Sequence, residues 1–73
     1  MADTAKLDQR IKRLTRIEAE YRSTMKRANA DMRDDPDHKR RYELRIAKLE
    51  RKIDKLVHKV RRLREVRTAM RSR

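Results

Sequence analysis

Apolar residues recur at alternating intervals of four and three along two stretches of this chain. The first series is Leu7, Ile11, Leu14, Tyr21, Met25, Ala28 and Met32, with Glu18 filling the missing step. The second is Tyr42, Ile46, Leu49, Ile53, Leu56, Val60, Leu63 and Met70, with Arg67 as its exception. That rhythm draws the a/d seam of a coiled coil on each of two helices. Between them lies Asp34-Asp35-Pro36-Asp37. Proline costs about 3 kcal/mol inside a helix but suits its first position. Asp35 then precedes it as N-cap, and Asp37 falls near the positive end of the second helix. The pattern predicts a single domain over residues 1–73, with helix 1 at about 3–33, a turn at 34–37 and helix 2 at about 36–71.

Two arrangements fit an unbroken heptad frame. A single kinked helix in a long parallel dimer would place Asp35 and Lys39 in the seam and stack Glu18 and Arg67 on their own copies. An antiparallel hairpin instead pairs Met32 with Tyr42, Ala28 with Ile46, Met25 with Leu49 and Tyr21 with Ile53, continuing with Leu14 on Val60 and Ile11 on Leu63. Its flanks then bring Asp31 to Arg45, Arg22 to Glu50, Asp8 to Arg64 and Asp3 towards Arg73. Opposite charges meet on both sides of the seam, as flanking positions do when they select orientation. Each exposed pair contributes only about 0.2–1 kcal/mol. The expected fold class is therefore all-α, two long helices in an antiparallel coiled-coil hairpin.

A lone hairpin has a thin core, and small scaffolds commonly need reinforcement. Ile17, Leu44, Val57 and Val66 lie outside the seam, Ile17 and Val57 widening it near Glu18 and Leu56. These four are the expected contacts for a second copy or another partner, and a homodimer would form a four-helix bundle. Glu18 is expected to send its carboxylate to Arg22 or Arg61, and Arg67 to extend its charge to solvent from the end of the seam.

Charge changes the picture most. The 73 residues carry 24 Lys and Arg against 12 Asp and Glu, for a net charge of +12. Residues 38–73 hold a net +11 and residues 3–33 a net +4, with three linker aspartates making up the difference. Seven of the bases, Arg41, Arg45, Lys48, Lys52, Lys55, Lys59 and Arg62, repeat the four-three spacing one residue ahead of the second apolar series. They make a stripe about 31 Å long with no acid in it, whereas Glu43, Glu50, Asp54 and Glu65 fall elsewhere on the helix. A polyanion is the natural partner for such a row.

Other chemistry finds little footing. The chain has no Cys, Gly or Trp, and its only histidines, His38 and His58, are twenty residues apart without a metal-ligand spacing. No cofactor and no enzymatic role are expected, both histidines reading as solvated surface groups. No apolar run is long enough to span a bilayer, a membrane-surface role would need an apolar face already used by the seam, and a soluble cytoplasmic or nucleoid-associated protein is expected. Tyr21 and Tyr42 fall on the seam, so no aromatic platform is left for stacking single-stranded bases. The amides Gln9 and Asn29 lie off the stripe, so adenine readout is not evident.

The expected function is binding to the phosphate backbone of duplex DNA or structured RNA with little sequence preference. The alternative is a coiled-coil adaptor or small inhibitor that docks its basic face on an acidic protein surface. In architecture alone, the expected fold resembles the basic hairpins of a small large-subunit ribosomal protein and of the tRNA-binding arm of seryl-tRNA synthetases.

Overall fold

A computed structural model describes residues 2–72. Helix α1 spans Ala2–Asp34, a single 3₁₀ turn spans Pro36–His38, and helix α2 spans Lys39–Arg71. No strand occurs among the described residues. Each helix has 33 residues, about 50 Å at 1.5 Å per residue. The molecule measures 56 × 14 × 12 Å, one helix long rather than two. The chain therefore doubles back into a helical hairpin whose two helices pack against each other. A single extended helix is not what this chain forms.

The turn follows from local chemistry. Pro36 has no N–H to continue α1, and it holds the preceding residue out of the helical region. Asp35 accordingly has φ −131° and ψ 74°, while its amide still closes the last turn of α1 on the Asp31 carbonyl at 2.9 Å. Asp35 occupies the expected N-cap position, but its side chain makes no capping bond. Its carboxylate instead accepts from His38 Nδ1 at 2.9 Å and from the Tyr42 hydroxyl at 3.4 Å. His38 is exposed, yet tied to the turn rather than merely solvated. Burial raises the Tyr42 phenol above its ordinary pKa, and the Asp35 charge and hydrogen bond add to the shift.

Solvent exclusion follows the expected seam. Ile11, Ala28, Leu49, Ile53 and Val60 are buried. Leu7, Leu14, Tyr21, Met25, Met32, Tyr42, Ile46, Leu56 and Leu63 are half-buried, as are Ile17 and Val57. Among the described residues no side chain is completely enclosed, so each realises only part of the roughly 1.5–3 kcal/mol that full burial of a large apolar group contributes. Met70 departs from the pattern, remaining 40% exposed. In the seam register the position opposite it is Thr4, too small and polar to cover it.

The two polar intruders in the seam both find charge partners. Glu18 Oε2 accepts from Arg22 Nε at 3.0 Å, one helical turn away. Arg67 does not extend freely to solvent, because its guanidinium donates to Asp8 Oδ1 at 2.9 Å. Asp8 Oδ2 also accepts from Arg71 at 3.4 Å.

Candidate nucleic-acid interface

Helix α2 positions the basic stripe by periodicity alone. Each stripe residue precedes a seam residue by one, about 100° around the helix, so the seven side chains flank the interface and reach solvent. All seven are exposed. Lys52 alone has a specific neighbour. Its Nζ lies 5.6 Å from the centroid of the Tyr21 ring on α1, within cation–π range. The stripe thus leans over the seam towards α1 at its middle.

The expected ion pairs across the flanks form differently. Asp8 meets Arg67 and Arg71 rather than Arg64, and Arg22 meets Glu18 rather than Glu50. Helical side chains tilt towards the N-terminus of their own helix. In a doubled-back chain the tips on the two helices therefore move in opposite directions, and Asp8 reaches a residue further along α2 than its level Cα neighbour. The same tilt carries Arg22 and Glu50 apart. Asp31 and Arg45 also form no ion pair, although the fields of both reach the Tyr42 phenol. The expected Asp3–Arg73 pair lies outside the described residues.

The consequence is two unlike broad sides. One carries Arg22–Glu18, Lys39–Glu43 at 3.9 Å, and the Asp8 pairs with Arg67 and Arg71. The His38–Asp35 contact belongs to the turn. None of these pairs uses a stripe residue, so among the described residues the other side holds all seven stripe cations without a carboxylate partner. Because the chain doubles back, α1 residues that precede its seam positions fall on that same side. Lys6, Arg10 and Arg13 are among them and are exposed. They went unremarked in the sequence, although they keep the same four-three rhythm, one residue ahead of Leu7, Ile11 and Leu14.

The four expected partner contacts do not share a surface. Val57 lies on the ion-paired side, in an open groove of about 730 Å³ also lined by Thr15, Glu18, Arg22, Arg61 and Arg64. Ile17 and Val66 lie on the basic side, Val66 being 45% exposed. Leu44 projects from the outer surface of α2 at 60% exposure. The reason is helical phase, since these positions differ in their angle from the seam. No cluster of three or more His, Asp or Glu among the described residues is placed to hold a metal ion. No described helix is long and apolar enough to cross a membrane. Comparison with protein-family models, curated proteins and solved structures gave no match.

Proposed function

We propose that this chain is an antiparallel coiled-coil hairpin that binds the phosphate backbone of duplex nucleic acid, with little sequence preference, through Arg41, Arg45, Lys48, Lys52, Lys55, Lys59 and Arg62. One observation carries the reading: the ion pairs between helical side chains gather on one broad side, and the cations of the other are left without partners. Like charges one helical turn apart destabilise a helix by about 0.2–0.5 kcal/mol per pair. Six such steps from Arg41 to Arg62 therefore cost roughly 1–3 kcal/mol, which packing of the hairpin offsets only at Lys52, over the Tyr21 ring. A polyanion relieves it. Duplex DNA supplies about one phosphate per 1.7 Å of axis, ample for a stripe of this length.

The thin core favours a second copy, and the groove beside Val57 is where it packs in this reading, leaving the basic side open. Ile17, Val66 and Leu44 take no part in that contact.

Salt dependence of binding to an arbitrary duplex tests the proposal. Neutralising six or seven phosphates gives a slope near −6 for log affinity against log salt. A slope shallower than about −2 rules out an extended phosphate track. Tight, salt-resistant binding to one acidic protein, with no duplex binding under the same conditions, establishes the adaptor or inhibitor reading instead.

A further inference from the structure

Resting on that reading, we infer that Lys6, Arg10 and Arg13 of α1 form a second phosphate-binding row, which makes the open end of the hairpin a two-backbone clamp for double-stranded nucleic acid. Along the basic side, α1 changes character from end to end. Lys6, Arg10 and Arg13 occupy its flank at the open end. In the seam register Arg13 lies beside Arg62, and Arg10 and Lys6 continue beyond it beside the stretch of α2 whose own flank carries Val66 and Ala69. Towards the turn the same flank reads Glu20, Thr24, Arg27, Asp31 and Asp34. The basic surface therefore follows α2 alone near the turn, bordered by acids, and takes in α1 as well towards the open end, where Arg13 and Arg10 carry the row on past Lys59 and Arg62.

None of the three cations of this second row has a carboxylate partner among the described residues. Asp8, the acid nearest them in sequence, is held on the opposite side by Arg67 and Arg71. Packed helices lie about 8–10 Å apart, so the two rows are separated by roughly one helix width. A single strand offers one phosphate track and gains nothing from a second row at that distance. A duplex offers two backbones bordering grooves about 6 and 12 Å wide, and both rows find phosphates. The acids at Glu20, Asp31 and Asp34 confine the second row to the open end, so nearer the turn the duplex is held by the α2 stripe alone.

The test compares two double reversals with the same change in charge, Arg10→Glu with Arg13→Glu, and Lys12→Glu with Arg16→Glu, the second pair lying off the basic side. Binding of a labelled duplex and of one of its strands is followed by anisotropy, with helicity checked by circular dichroism. The first variant is expected to lose at least tenfold more duplex affinity than the second, to flatten the salt slope by about 2, and to bring duplex and single-strand affinities together. Arg10→Gln with Arg13→Gln gives a smaller loss in the same direction and covers the case in which the reversals unfold the hairpin. Equal losses from the two double reversals, or an unchanged duplex preference in the Gln variant, overturn the clamp. If the unaltered chain shows no salt-sensitive duplex binding, the proposed function falls and the clamp with it. If reversal of Lys48, Lys52, Lys55 and Lys59 abolishes binding while Arg10 and Arg13 prove silent, only the clamp falls.

Discussion

The two broad sides of this hairpin are built from the same kinds of residue and do opposite things with them. On one, Asp8, Glu18 and Glu43 neutralise Arg67, Arg71, Arg22 and Lys39 at 2.9–3.9 Å. On the other, the stripe cations stand at one-turn intervals without a carboxylate partner. Arginine and lysine content is therefore no guide to role by itself. Phase around the helix decides which cations lie within reach of these acids, and on the first side Arg61 and Arg64 stay without a carboxylate partner among the described residues as well.

The sharpest break of this contrast is reversal of Lys48, Lys52, Lys55 and Lys59 to Glu. Duplex affinity should fall roughly 100-fold or more at moderate salt, while helicity persists because none of the four side chains is buried. Retained affinity would move the function off this side. Next in size is Ile53→Ala, which removes a buried seam residue shared by both sides. A loss of about 2–5 kcal/mol is expected, a large part of the whole for a small domain. Urea unfolding followed by circular dichroism measures it, and a loss below about 1 kcal/mol would mean that the seam is not the core.

Asp8→Ala touches the ion-paired side alone. It leaves half-buried Arg67 without its carboxylate, for about 1 kcal/mol of stability, and duplex affinity should not fall. Weaker duplex binding in that variant would erase the distinction between the sides. The smallest effect lies in the turn. Tyr42 has a raised pKa, so folding favours its neutral phenol. That contribution is complete below the ordinary tyrosine range and fades as pH rises through the raised value. Asp35→Asn removes the charge that adds to the effect of burial, so the Tyr42 midpoint should move down. Tyrosinate absorbance in a Tyr21→Phe background reads it, and an unmoved midpoint would detach Asp35 from Tyr42.

Much of this fold was legible because it depends on periodicity. The four-three rhythm identified the residues shielded from water, and Pro36 marked the turn, although a 3₁₀ turn at Pro36–His38 delays the start of α2 to Lys39. Side-chain direction was less legible. Counting levels along two helices matched Asp8 to Arg64 and Arg22 to Glu50, but the tilt of each side chain towards its own N-terminus changed the partners. The second basic row escaped notice for a different reason. Lys6, Arg10 and Arg13 are a short segment on a less charged helix, and only the doubling back of the chain sets them beside α2.

The Asp8 contacts with Arg67 and Arg71 also set an order of events in time. The turn joins residues near in sequence, so closure there confines few residues and is fast. Pairing then advances outwards like a zipper, and the Asp8 clasp, 59 and 63 residues from its partners, forms last and opens first. Beyond it Met70 has little cover. Local opening thus costs least at the end where the basic surface is widest, and a duplex seated there would hold the zipper shut.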